Sequence, residues 1–175
     1  KYTSVPKINP NGLVNKFNLF FKNVTTEGDN SGEYSSDFRS QNFGSILYDI
    51  SYPLKKEGNK YNNFLSGKAS FMYSPNKNKN IKNLDRKINT KNIFNQNRLG
   101  LNDSVEGGQS LTFGGEYKIT DKQNRSFLTA GLASVLRDKN EEKLPTSSTI
   151  NNKSSDIIGS ITVSYTHLTL PTSPK

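Results

Sequence analysis

The chain has 175 residues, enough for one ordinary domain, and contains no Cys and a single His, His167, so disulfides, thiolate metal centres and histidine-based catalytic pairs lack material. Only 31% of the residues are hydrophobic, yet ten are Phe and eight are Tyr, a balance that suits strands better than a helix bundle. The formal charge of +9 comes mostly from Lys set among Asn, as in residues 76–80; both have A-rich codons, and with no RNA- or DNA-binding motif present nucleic acid is not an expected partner.

In chain order, six strands are predicted from period-two alternation. The first covers about 13–25: Phe17, Leu19 and Phe21 share one face, Lys16, Asn18 and Lys22 the other, with Phe20 an exception. The second covers about 42–54, with Ile46, Tyr48, Ile50, Tyr52 and Leu54 against Ser45, Asp49 and Ser51. Leu47 breaks its pattern, and Pro53 predicts that pairing ends there. The third, about 61–74, sets Leu65, Ala69, Phe71 and Tyr73 against Ser66, Lys68 and Ser70. The fourth, about 109–121, is the cleanest, with Leu111, Phe113, Tyr117 and Ile119 opposing Ser110, Thr112, Glu116 and Lys118. The fifth, about 126–137, is apolar on both faces and gives no orientation. The sixth begins near Ser155, with Ile157, Gly159 and Ile161 on one face. These strands match the roughly 9–11 residues that cross a bilayer at a tilt.

The connections add a second signal. They run long (26–41), short (55–60), very long (75–108), short (122–125) and long (138–154). Outer-membrane barrels keep short turns on the periplasmic side and long loops outside. The Lys/Asn-rich run 76–91 is expected to be a mobile extracellular loop. No run approaches the ~20 apolar residues of a membrane helix, which says nothing against a barrel. The reading is therefore an all-β, antiparallel up-and-down segment of about six strands from a large transmembrane β-barrel. Six strands cannot close a membrane barrel, whose smallest members have about eight, and open edges in lipid leave backbone groups unpaired. The chain starts at Lys1 without Met or signal peptide, as expected of an internal fragment.

The run from Val163 to Thr172 reverse-translates to GTC TCT TAT ACA CAT CTG ACG CTG CCG ACG, a string that resembles a transposase-type sequencing adaptor. The barrel segment is accordingly expected to span 1–162, with 163–175 a non-native tail.

Two motifs stand out. The first runs from Asn92 to Gly114 and includes Asn97, Arg98, Gly100, Asp103, Glu106 and Gly108. The second comprises Arg137-Asp138-Lys139, then Leu144-Pro145, then Lys153 to Gly159 with Asp156. The first resembles the LptD family, in which an Asn-x-Phe-x-x-Asn-Arg-(Phe/Leu) segment leads through Asp-x-x-Glu-x-Gly into a barrel strand. The second is similar in order to that family's next long loop and strand. The flavour is that of an alphaproteobacterial-like member. The commoner family form has Gly two residues before the Asp; here Leu101 holds that place and the Gly is Gly100. The resemblance implies an outer-membrane barrel that assembles lipopolysaccharide into the outer leaflet. It also implies the plug lipoprotein LptE and the periplasmic Lpt bridge as partners, no cofactor and no enzymatic activity.

Asp103 and Glu106 could suggest acid–base work or a Ca²⁺ site, but one acidic pair lacks the oxygens Ca²⁺ needs; a loop-ordering pair with Arg98 explains them better. Gly107-Gly108 lacks the Lys-Ser/Thr of a phosphate loop and reads as a tight loop-to-strand junction. The polar set Lys16, Lys22, Asp49, Lys68, Glu116 and Lys118 is expected to face the lumen, as an ordinary hydrated interior or in contact with lipopolysaccharide or the plug. The strand aromatics are candidates for an interface girdle. Two other functions remain open: a porin or receptor-type transporter, and a soluble all-β binding module.

Overall fold

The computed structural model describes residues 1–29 and 36–164. Its elements are β1 (Tyr2–Thr3), β2 (Lys7–Ile8), β3 (Val14–Thr26), β4 (Arg39–Glu57), β5 (Tyr61–Ser74), β6 (Gly108–Asp121), β7 (Ser126–Arg137) and β8 (Ile158–Val163), with a 3-10 turn at Ser147–Thr149. All belong to one open antiparallel sheet in the order β1-β3-β4-β5-β6-β7-β8, with β2 also pairing with β3. From β3 onward each strand pairs with the next in sequence. This is the up-and-down architecture of a partial β-barrel, and the expected all-β class holds. The connections alternate as expected: residues 27–38, 58–60, 75–107, 122–125 and 138–157.

Cross-strand register gives the sheet two distinct faces. The rows Tyr48↔Phe71↔Leu111↔Leu136 and Ala69↔Phe113 lie on one of them. Phe17, Leu19, Phe21, Ile46, Leu65, Tyr117, Leu132 and Ile161 share this bare face and are exposed. The opposite face carries Asn18, Ser45, Ser70, Ser110, Thr112 and Arg137, all buried. Its cover is supplied by the connections 75–107 and 138–157, which fold back across it.

The hydrophobic core lies under that cover. Ile81, Ile88, Ile93, Leu99 and Leu101 from one connection pack with Leu144 and Ile150 from the other and with Ala133 and Val135 of β7. A backbone bond from Ile81 N–H to Lys143 O, at 2.8 Å, joins the two connections. The run 76–91 is anchored to this core through the buried Asn78, Ile81 and Ile88, while residues 82–87 stay exposed. Isolated isoleucines in it find an apolar partner, and burying each removes apolar surface from water.

The same cover explains the breaks in alternation. Leu47 points to the covered side and is buried, and Phe20 is half-buried there. On β7, Ala133 and Val135 point into the core while Leu132 and Leu136 are exposed, so both faces are apolar for different reasons. Pro53 does not end β4, which continues to Glu57 and pairs Pro53 with Ser66. Pairing with β3 stops at Ser51↔Val14, so the proline sits where the strand has a neighbour on one side only, a position proline tolerates. β8 begins at Ile158, with Ile157 exposed before it, and it includes Val163 opposite Leu128. Residues 165–175 of the expected adaptor-derived tail, including His167, lie outside the described residues.

Candidate functional site

The first motif forms a charged centre where the long connection enters β6. Arg98 donates from Nε to Glu106 Oε2 at 2.8 Å, from Nη1 to Thr112 Oγ1 at 3.0 Å, and from Nη2 to Ser110 Oγ at 2.9 Å as well as to Glu106 Oε1. Arg137, at the end of β7, donates from Nη1 to the same Glu106 Oε1 and from Nη2 to Gly107 O at 2.6 Å. All three charged side chains are at most 2% exposed. Burial alone raises the Glu106 carboxyl, but the Arg98 and Arg137 guanidiniums outweigh it and hold the group below the usual glutamate range. The planar guanidinium fork suits this shared, partly bidentate geometry in a way an ammonium does not.

Glycines make the centre possible. Gly108 has φ +89° and Gly100 φ +65°, the left-handed region in which glycine is favoured. Gly100 N–H closes the turn onto Asn97 O at 3.2 Å, so the displaced glycine has a backbone role of its own. At Gly107 an added Cβ would lie 2.0 Å from Asn76 O. The Gly107 N–H donates to Asn78 Oδ1 at 2.8 Å, and Asn78 Nδ2 donates to Glu141 Oε2 at 3.0 Å. Asn97 caps its own turn by accepting from Leu101 N–H at 2.8 Å and donating to Leu101 O at 2.9 Å.

Asp103 stands apart from the centre and pairs with Lys79. The two carboxylates of the first motif therefore have separate partners and form no joint acid–base or cation site. Of the second motif, Arg137 belongs to the charged centre and Pro145 is fully buried. Asp138 is exposed beyond β7. Asp156 accepts from Thr149 Oγ1 at 2.9 Å. Gly159 is on the bare face, opposite Leu132.

The expected lumen set shares the loop-covered face. Lys16 lies 3.8 Å from Asp49, and Lys68 lies 3.8 Å from Glu116. Asp49 also accepts from Asn18 Nδ2 at 2.9 Å and Ser70 Oγ at 2.6 Å. Lys22 donates to Asn102 O in the long connection. Lys118 is half-buried and stands opposite Phe64 and Thr129. The centre as a whole joins β6, β7 and two connections far apart in sequence.

The description LptD, LPS transport system D, belongs to a family model that matches residues 14–169, which include every strand from β3 to β8. The chain belongs to the LptD family. No curated protein and no solved structure matches it. Membership gives this LptD-family chain a general role in lipopolysaccharide transport, in a family of transporters of the Gram-negative outer membrane.

Sequence reasoning missed several LptD residues that the fold relies on. Asn78 and Gln96 are buried and tie the long connection to its neighbours; Gln96 Nε2 donates to Ser45 O at 3.1 Å and Ser45 Oγ at 3.0 Å. Lys79 was not distinguished from the other lysines of its run. The available signal was the isolated branched aliphatics Ile81, Ile88 and Ile93, which a purely solvated loop has no use for.

Proposed function

We propose that this chain is a stretch of wall from the outer-membrane translocon that assembles lipopolysaccharide into the outer leaflet. The observation that carries the reading is the exposed apolar face running without interruption from β3 to β8. A soluble monomer rarely exposes a contiguous apolar patch beyond a few hundred Å², whereas a barrel wall needs such a face against hydrocarbon. The polar face and its loops then line the water-filled side. The open strand edges pair with further strands, since unpaired backbone groups in lipid cost several kcal/mol each. Its partners are lipopolysaccharide, the plug lipoprotein LptE and the periplasmic Lpt bridge. Catalysis has no part: the work is to move an amphiphile while shielding its acyl chains.

The wall is tested by placing single cysteines at Leu132 and Thr129, in a chain that has none of its own, within membranes of expressing cells. A water-soluble maleimide should label Thr129→Cys and leave Leu132→Cys unlabelled until detergent is added. A chain that stays monomeric and melts cooperatively in water without detergent would sink the reading. The transport role is tested by depletion, which should lower the lipopolysaccharide that reaches the cell surface.

A further inference from the structure

The short connections 58–60 and 122–125 lie at one end of the sheet, and a cavity of about 450 Å³ opens there. Tyr61 and Asp121 pair in register and share the side of Leu65 and Tyr117, so this cavity sits at the margin of the bare face. Its charged lining is Lys60, Lys122 and Arg125 against one carboxylate, Asp121. That carboxylate is already occupied: it accepts from Gln123 N–H at 2.9 Å, from Arg125 N–H at 2.8 Å and from Arg125 Nε at 2.6 Å. The other carboxylate of these turns, Glu57, faces the covered side and pairs with Lys55 at 2.5 Å. Lys122 donates to Asn62 Oδ1 at 3.4 Å, and Lys60 stands 5.5 Å over the Tyr61 ring. Among the described residues neither lysine has an ion-pair partner. Tyr61 and Phe127 complete the lining, both exposed, with ring centroids 5.9 Å apart. Deeper on the same face lies an open hollow of about 710 Å³, walled by Leu65, Tyr117, Ala130, Leu132 and Ile161. Glu116 borders it, with its carboxylate turned to Lys68 on the covered face at 3.8 Å.

We propose that this surface seats one anionic phospholipid, with its phosphate in the cavity at the turns and an acyl chain laid along β6 and β7 into the hollow. The inference deepens the reading of the sheet as a membrane wall and rests on it. Lys and Arg at a membrane surface attract anionic headgroups, and here three cations gather around a single carboxylate that is already saturated. Aromatic rings at one level mark the headgroup layer, where an apolar body and a polar tip are both satisfied. The spacing agrees. Tyr117 stands four residues from Asp121, about 13 Å along an extended strand. One leaflet of hydrocarbon is about 15 Å deep, half of the ~30 Å core, so a chain anchored at the turns reaches the hollow. A free phosphate would use the turns and leave the hollow empty. An acidic soluble protein would likewise gain nothing from it, whereas the lipid fills both parts of one continuous face.

The chain has no Trp, so Phe113→Trp, on the bare face two residues beyond Gly115, gives a single reporter of nearby acyl chains. The full chain carrying it is placed in phosphatidylcholine vesicles with a small fraction of either brominated phosphatidylglycerol or brominated phosphatidylcholine, whose bromines quench indole fluorescence on contact. The phosphatidylglycerol should quench at a fraction at least about tenfold lower. Lys60→Gln, at an exposed position, should reduce that preference about fivefold, and added salt should reduce it too. Lys82→Gln, which removes an exposed charge from the long connection, should leave it unchanged. Equal quenching by the two lipids, a preference that Lys60→Gln leaves unaltered, or one abolished by inorganic phosphate at constant ionic strength overturns the seat. Each of these leaves the wall reading intact, because both lipids still reach the indole. Quenching by neither lipid overturns the wall reading itself.

Discussion

Glu106 is a carboxylate shared by two buried guanidiniums, and its ionisation is coupled to the fold. Its folded pKa lies below the ordinary value, and an unfolded glutamate titrates near about 4.3. The sign follows from linkage: the stabilisation is fully present above the unfolded value and is lost as pH falls through the lower, folded one. Thermal unfolding in detergent should therefore be level from about pH 7 to pH 5 and decline below about pH 4. Glu106→Gln should melt earlier at neutral pH and lose that part of the acid decline. A variant that keeps the decline unchanged would assign it to other carboxylates. Gly107 makes a different demand on the same corner. Its Cβ position is taken by Asn76 O, so Gly107→Ala must push two backbone segments apart, at a cost of more than about 2 kcal/mol. Gly67→Ala, where nothing lies within 4 Å of the added carbon, is the matched control. Equal melting temperatures for the two variants would show that the close approach is not a constraint.

At the scale of elements, alternation alone located β3, β5, β6 and β7 to within a residue or so of their observed bounds. It succeeded because one face of each strand is apolar and bare, so side-chain period and environment coincide. It failed where the other face is covered by loop. Leu47 and Phe20 looked like errors in the pattern, and β7 looked unorientable, because a period-two test treats everything off the apolar face as wet. The first motif was legible as a salt-bridged loop, but its second guanidinium, Arg137, comes from a strand end 31 positions from Glu106, and no spacing rule reaches that far. The faces of β7 now differ in a measurable way. Leu132→Lys, near the middle of the strand on the bare side, should cost about 2–4 kcal/mol if that point lies at the bilayer midplane. Thr129→Lys on the other side should cost under about 1 kcal/mol. Urea unfolding in lipid vesicles would compare them, and equal costs would contradict the assignment of faces.

For the molecule as a whole, the position of the apolar core has a mechanical meaning. In most membrane walls the greasy surface is the one turned outward; if the sheet is such a wall, as proposed, it carries a second apolar interior on its loop-covered face, built from Ile81, Ile93, Leu144, Ile150 and their neighbours. Ile93→Ala, at a site with no exposed surface, should cost about 2–5 kcal/mol, as in a water-soluble protein. Changing the detergent should not restore it, because no amphiphile reaches that site; recovery in a thicker micelle would place the loss at the outer belt. The two connections thus behave as a small globular body lodged against one face of the sheet. Bringing its parts together closes chain loops of more than 30 residues, which slows folding. The sheet would therefore form before its loop-covered interior fills, and maturation would end when that body condenses against it.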